Sequence, residues 1–504
     1  MGADMPGSNG SGPSREEFEA WLWEAANILR GPVDPANLRD YVFPMLFFGR
    51  ISDTWDEEHE QAVAAYGEDV DDEVAADFHT FDIPDGCHWS DLRRVGENHG
   101  IELQKIMQRI EAANPDKLAQ IFGNAPWADP DKMPPERLER LIEHFNQLDL
   151  RPSQISNDLL GRGYEYLLKA FSDESATSAG QFFTPREVIH LLVRILAPQA
   201  TDSIYDPACG SAGMLIEAAN EVIASGGSVA QMRFYGQEIN QTSAAIGRMN
   251  LFIHDVEDAQ VLRGDTLRDP KFVDNAGKLD QFDVVVANPP FSLKNWGHDT
   301  WASDPHRRAI GGVPPKGNGD LAWVQHMVAS MHPDHGRVGV VMPHGVLFRS
   351  GAEAKIRQHL IEADLLDAVI GLAPNLFYST TIPACLLIFR TAKAAERKRH
   401  VLFVDGSKRF TQGRNQNTLD ANDVDDLYAA YRGDEELDDL GVRLVPHDEI
   451  AGNDWDCNIG RYLASDETEV VDVAVALGAL TEAREALAEA EAAMFERLGV
   501  AGYA

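Results

Sequence analysis

The sequence is short of cysteine, of positive charge and of long apolar runs, and each shortage excludes a class of protein. Its four cysteines (Cys87, Cys209, Cys385 and Cys457) lie far apart and form no Cys-x-x-Cys pair. Neither a disulfide framework nor a zinc site follows from that spacing, and no metal is called for; a reducing, cytoplasmic setting is expected. Cys209 reads as a small turn residue rather than a nucleophile. No stretch is long and apolar enough to span a bilayer, and the opening MGADMPGSNGSGPS carries no apolar signal region, so no membrane association is expected. Lysine and arginine total 44 against 81 aspartates and glutamates, a net charge of −37. Phosphate contacts dominate nucleic-acid affinity and need cations, so the chain does not read as a free-standing DNA binder. Either the charge serves solubility, or contact with nucleic acid is local and delegated to a partner. A basic island, Arg390 to Arg414 with Lys393, Arg397, Lys398, Arg399, Lys408 and Arg409, reads equally as solvated surface and as a DNA or partner contact.

What is present is the composition of a globular protein, 504 residues with 44% hydrophobic, long enough for two or three cores. Residues 1–13 read as a disordered tail. Ser14-Arg15-Glu16-Glu17 fits a capping box, with Phe18, Leu22, Ala25 and Leu29 on one helix face and Gly31-Pro32 as its end. Leu138 to Leu148 and Asp158 to Phe171 are amphipathic too, and residues 14–165 read as a helical domain. From about residue 180 strand and helix patterns alternate, the mark of a wound α/β sheet, here assigned to residues 166–430. Strands are expected at Ser203-Tyr205, Arg233-Gly236, Ala259-Leu262, Phe282-Ala287, Val338-Met342, Leu366-Gly371, Ala384-Phe389 and His400-Val404. In the C-terminal region, 431–504, Val473, Leu480, Leu487 and Met494 recur every seven residues, with Leu477 and Leu498 beside them. A helix over about 468–498 follows, interrupted as a coiled-coil seam by Arg484 and Glu491.

Chemistry concentrates where the strands end, the place where such sheets bind ligands. After the first strand comes Asp206-Pro207-Ala208-Cys209-Gly210-Ser211-Ala212-Gly213, a Gly-rich turn opening a helix. Its backbone amides suit an electron-rich, nucleotide-like ligand, and without a GxGxxG pattern the dinucleotide reading is weak. Glu238 follows the second strand, where a carboxylate accepts both ribose hydroxyls; the alternative is a helix-end charge. Asp265 follows the third, either as acceptor for an adenine amino group or as a turn residue. After the fourth strand stands Asn288-Pro289-Pro290-Phe291. Asn288 supplies a side-chain carbonyl, the prolines cannot donate and stiffen the turn, and Phe291 offers a face for stacking. Two acceptors beside an aromatic face suit a flat amine that must lose a proton as it attacks, which together with the turn suggests amino-group methylation with S-adenosyl-L-methionine (S-adenosylmethionine below).

In this order, these motifs resemble the gamma group of adenine-specific DNA methyltransferases, and more narrowly the modification (M) subunit of type I restriction–modification systems. The resemblance rests on Gly180-Gln181-Phe182-Phe183-Thr184-Pro185-Arg186, on the DPACGSAG turn and on NPPF. Leu46-Phe47-Phe48-Gly49-Arg50-Ile51-Ser52-Asp53 and Gly317-Asn318-Gly319-Asp320-Leu321-Ala322-Trp323 extend it over nearly the whole length. It implies a Rossmann-like methyltransferase sheet with a helical N-terminal domain and a C-terminal partner-binding helix. It implies that Gln181 to Arg186 close over the methionine part of the cofactor, and that Asp206 lies near its amino group. From the residues alone, Thr184 is the cap of a helix with Pro185 at its first position, and Asp206 orients its turn. The resemblance further implies a flipped adenine in DNA as substrate and two M copies per complex, with a restriction or translocase subunit as a further partner. No sizeable domain follows the sheet, so sequence recognition is expected from a separate specificity subunit. The competing readings are a protein-glutamine or ribosomal RNA methyltransferase using the same NPPF chemistry, and a non-catalytic assembly subunit. His298, His326 and His344 read as structural or surface groups.

Overall fold

A computed structural model describes residues 12–67, 77–174, 184–256, 258–377, 382–414, 416–433, 440–463 and 473–500. Gln181, Phe182 and Phe183, and most of the expected N-terminal tail, lie outside the described residues. The chain divides into two compact units, Met1–Ile459 and Gly460–Ala504.

The first unit opens with the helix Arg15–Leu29, started by the expected capping box: Ser14 accepts the Glu17 N–H and the Glu17 carboxylate accepts the Ser14 N–H. Phe18, Leu22, Ala25 and Leu29 are all fully buried. Long helices Arg39–Tyr66, His99–Ala113, Pro135–Phe145 and Asn157–Glu174 complete a helical layer. The Leu46-to-Asp53 motif works inside it. Arg50 is buried and donates to the carbonyls of Leu150 and Ile155 and to Asn157, while Asp53 accepts the Leu150 N–H at 2.7 Å. Buried polar groups of this kind are worth keeping inside because they satisfy loop backbone that has no helix or strand to join. The helix Gln241–Ile253 lends Ala245, Ile246, Met249 and Ile253 to the same core. Tyr164 of the helical layer donates its hydroxyl to the Ile246 carbonyl at 2.9 Å. The helices therefore share a core with the sheet layer.

The sheet has nine strands: β1 (Ser203–Asp206), β2 (Arg233–Glu238), β3 (Ala259–Arg263), β4 (Val284–Ala287), β5 (Arg337–Pro343), β6 (Leu366–Gly371), β7 (Ala384–Arg390), β8 (His400–Asp405) and β9 (Gly441–Pro446). Their order is β3-β2-β1-β4-β5-β7-β6-β8-β9. The first five are parallel, β7 runs antiparallel between β5 and β6, and β9 is antiparallel on the outer edge. Eight strands fall where the sequence places them. β4 starts two residues late: the Asp283 N–H donates to the Ser203 hydroxyl rather than to a strand carbonyl, and its carboxylate takes the N–H and hydroxyl of Ser203 in return. β9, absent from the sequence reading, carries the sheet beyond residue 430. Strand order reverses between β1 and β4, and it is at such a switch point that an open α/β sheet leaves a crevice.

The basic island is largely spoken for within this unit. Lys393 is buried against Asp364 at 2.8 Å; Arg390 and Arg397 share Asp367, and Arg397 also lies over the Tyr431 ring. Arg399 pairs with Asp448 and Arg409 with Asp426. Among the described residues no helix is long and apolar enough to cross a membrane. The second unit contains the helix Val473–Val500, on which Leu477, Leu480, Leu487, Met494 and Phe495 are exposed. The side chains of Val473 and Leu498 are outside the described set.

Candidate active site

A cavity of about 640 Å³ opens at the carboxyl ends of β1 to β4. Thr184, Pro185, Arg186, Asp206, Gly210, Ser211, Gly213, Glu238, Asp265, Asn288 and Pro290 all line it. Residues that the sequence scatters over a hundred positions thus meet at the switch point. Ala212 and Pro289 are buried and are not among the residues that line the cavity.

The Gly-rich turn is built for close approach. Gly210 sits at φ 51° and Ala212 at φ 63°, left-handed geometry in which the second is tolerated by a small side chain. Gly247 on the facing helix has no room for a Cβ, which would meet the Gly210 carbonyl at 2.8 Å. Asp206 is buried and accepts the Ala208 N–H at 3.0 Å. Burial pushes its carboxyl up to about 8, with the neighbouring Glu238 adding in the same direction. Cys209 is buried and free, and burial raises its thiol well above the ordinary range, which rules out an activated nucleophile.

Glu238 is not the cap of the following helix; Asn240 is, accepting the Ser243 N–H at 3.0 Å. Glu238 instead accepts the N–H groups of Asn240 (2.8 Å) and Gly210 (3.1 Å), tying the end of β2 to the Gly-rich turn. Burial raises its pKa despite those bonds. Each of its oxygens retains a further lone pair. Asp265 does serve its turn, accepting from the N–H groups of Leu267 and Arg268 at 3.2 Å and pairing with the Arg268 guanidinium, while still facing the cavity. Sequence reasoning passed over Thr266, whose hydroxyl donates to the Pro207 carbonyl at 2.6 Å and locks this loop to the β1 turn.

Asn288 is half-buried, and its side-chain amide donates to the Thr184 hydroxyl at 2.9 Å. That bond corrects one expectation. Thr184 does not cap the helix Arg186–Leu196; Pro185 occupies the cap position, and its carbonyl accepts from Val188 and Ile189. The Thr184 oxygen is engaged across the cavity instead. With the Asn288 nitrogen so occupied, its carbonyl oxygen is the atom left to accept from a ligand. Phe291 meets Phe377 edge to face, centroids 6.0 Å apart. Phe377, from the segment after β6, was not legible as a site residue because nothing local distinguishes it from core. His326 is fully buried between Tyr205 and Arg308, and His344 faces the Ala384 carbonyl; both are structural.

The cavity fits S-adenosylmethionine in its chemistry. Three carboxyl groups at successive strand ends complement a diol, an amino group and a cationic ligand. A mostly parallel sheet with an acceptor turn and this acidic, Gly-lined crevice at its switch point defines a Rossmann-like S-adenosylmethionine methyltransferase. Comparison with known proteins narrows the class. Residues 155–470 match the family described as N-6 DNA Methylase, and residues 18–145 match the HsdM N-terminal domain. The methylase subunit of the type I restriction enzyme HindI from Haemophilus influenzae is 32% identical over 362 residues, 69% of this chain and 79% of that one. The MjaVII methylase subunit from Methanocaldococcus jannaschii is 33% identical over 390 residues, 74% of this chain and 65% of its own length, just under two thirds. The crystal structure of the type I restriction-modification methyltransferase subunit from Streptococcus thermophilus superposes with a TM-score of 0.77 at 26% identity, covering 89% of this chain and 99% of that one. The chain belongs to the N-6 DNA methylase family, among the methylase subunits of type I restriction enzymes. Its activity is accordingly transfer of a methyl group from S-adenosylmethionine to the 6-amino group of adenine in DNA.

Proposed function

We propose that this chain methylates an adenine flipped out of duplex DNA, with Asn288, Pro289, Pro290 and Phe291 handling the base and the β1–β3 ends holding the cofactor. The observation that carries the reading is adjacency. Asn288 and Asp206 end neighbouring strands at the switch point and face one cavity. When bound, S-adenosylmethionine supplies the electrophilic methyl group. The adenine amine is a poor nucleophile because its lone pair is delocalised into the ring. Acceptance of its hydrogens by the Asn288 carbonyl and the Pro289 backbone carbonyl shifts density onto nitrogen as attack proceeds, and such bonds accelerate because they strengthen in the transition state. Unstacking the base costs a few kcal/mol. Stacking on Phe291, with Phe377 at its edge, returns about 1–3 kcal/mol of it.

On the cofactor, Glu238 takes the ribose hydroxyls, Asp265 the adenine amino group and Asp206 the methionine amino group. Gly210, Ser211, Ala212 and Gly213 give the turn its close approach. Gln181, Phe182, Phe183, Thr184, Pro185 and Arg186 form the segment that covers the methionine end. The helical layer (14–165) and the sheet domain (166 onward, reaching β9 past residue 430) make one working body, and the Val473–Val500 helix docks a partner through its exposed Leu480, Leu487 and Met494. That partner is a specificity subunit that carries DNA recognition, with two copies of this chain in the complex and a restriction or translocase subunit joining it, in the cytoplasm.

Asn288→Ala tests the central role. Transfer of labelled methyl groups to DNA is expected to fall below detection while calorimetric cofactor binding stays near wild type. Near-normal turnover would remove Asn288 from the chemistry.

A further inference from the structure

The Gly317-to-Trp323 motif has no part in the chemistry described so far, yet it grips the chain immediately after NPPF. Ser292, the residue following Phe291, adopts φ 53°, a left-handed conformation that costs a non-glycine residue energy unless its surroundings impose it. The surroundings do so. The Ser292 N–H donates at 2.6 Å to the carboxylate of Asp320, which is only 1% exposed. The next residue's carbonyl, that of Leu293, accepts the Gly319 N–H at 3.0 Å. Gly319 has no room for a Cβ, because the Trp296 ring lies 2.8 Å from where it would be. The other Asp320 oxygen accepts from Arg349 at 3.0 Å, and Arg349 also reaches the buried Glu353 at 3.3 Å. Arg349 in turn lies over Gly345, where a Cβ would run into the guanidinium. The chain thus runs from Gly345 through Arg349 and Asp320 to the amide beside Phe291.

We propose that Asp320, held by Arg349, is the positioning residue for the target base: it fixes the strained Ser292 amide and so sets the ring of Phe291 on which the adenine stacks. It touches neither substrate nor cofactor. The proposal rests on the reading that Phe291 stacks the flipped base, and it adds the device that aims the ring. Charge matters to this device, because a hydrogen bond to a charged acceptor is about twice as strong as a neutral one and the Arg349 guanidinium pairs with the same carboxylate at 3.0 Å.

The test uses the full chain in its assembled methyltransferase, with a DNA duplex carrying 2-aminopurine at the target adenine. Asp320→Asn keeps the shape and one acceptor but loses the charge. Its kcat is expected to fall about tenfold, with cofactor Kd within about twofold and an unchanged unfolding midpoint. The 2-aminopurine emission should rise, as an extruded base that no longer stacks is less quenched. Gly345→Ala, whose Cβ would run into the Arg349 guanidinium and shift it without touching either acidic group, should lower kcat and raise emission in the same direction. It decides the matter alone if Asp320→Asn does not fold. An unchanged kcat in Gly345→Ala, or a kcat loss that tracks loss of cofactor affinity, overturns the proposal. A wild-type assembly that binds cofactor but does not methylate DNA would instead refute the functional reading beneath it.

Discussion

Cofactor affinity should depend steeply on pH, and the cause is a single buried carboxyl. Asp206 accepts one backbone N–H and is otherwise enclosed, so burial carries its pKa from 3.8 to about 8. At pH 7 ionising it therefore costs about 1.4 kcal/mol, and at pH 6 about twice that. A cationic ammonium group beside it favours the carboxylate, so binding expels a proton wherever Asp206 starts out neutral. Linkage then makes affinity rise by up to about tenfold per pH unit as pH climbs toward 8. The sign for the free fold is opposite. A carboxyl whose folded pKa is raised contributes stability below its unfolded value that is lost progressively between pH 3.8 and about 8. Cofactor binding should consequently stabilise the protein more at pH 7.5 than at pH 6. The assay is titration calorimetry from pH 6 to 7.5 in two buffers of unlike ionisation heat. Across that window an α-amino group, with a pKa of about 7.7–8.0, stays mostly protonated, and near pH 6 almost wholly so. Wild type should release close to one proton per cofactor near pH 6, and Asp206→Asn should release none and show a flat profile. A flat wild-type profile would refute either the burial of a neutral Asp206 or its pairing with the cofactor's cation.

Glu238→Ala should weaken S-adenosylmethionine binding by about 1.5–3 kcal/mol, the scale of hydrogen bonds to a charged group, read as Kd by calorimetry. Because Glu238 also holds the Gly210 N–H, Glu238→Gln serves as the control; if both variants bind as wild type does, the residue only braces the turn. A chain ending near Ala464 lacks the Val473–Val500 helix. It should fold and bind cofactor, yet fail to co-purify with a specificity subunit and fail to methylate DNA, and full assembly without the helix would reject its docking role.

The parallel core was legible because its strands are short, wholly buried runs such as Val284–Ala287, bounded by turn residues. Local pattern could not show that β7 inserts antiparallel between β5 and β6, because strand order is set by crossovers and long-range pairing rather than by any residue's own preference. β9 escaped for a different reason. As an outer edge strand it buries little, with Val442 and Leu444 exposed, so Gly441–Pro446 carries neither an apolar run nor a clean alternation. At the site, residues with strand-end chemistry announced themselves: Asp206, Glu238, Asp265 and Asn288 all reach one cavity. What stayed hidden were partners. That Thr184 would spend its hydroxyl on Asn288 rather than on a helix cap depends on a neighbour 104 positions away. The same holds for Asp320, whose job is defined by the Ser292 amide and by Arg349.

Pairing bears on what composition left open. Counted along the chain, Arg390 to Arg414 is a cluster of cations on an acidic protein and an obvious place to bring DNA. In the fold, Arg390, Lys393, Arg397, Arg399 and Arg409 each face an aspartate of this same chain. The pairs to Asp364 and Asp367 are largely buried, whereas an exposed pair such as Arg399–Asp448 adds little stability. They do, however, cancel the field that a phosphate backbone would feel, and a cation already neutralised releases few counterions when DNA arrives. Within the island, Arg390 and Arg397 reach Tyr431 and Arg409 reaches Asp426, tying this stretch to the helix Ala421–Arg432. The net charge of −37 is in keeping with the proposal that DNA reaches Asn288 in the grip of another subunit.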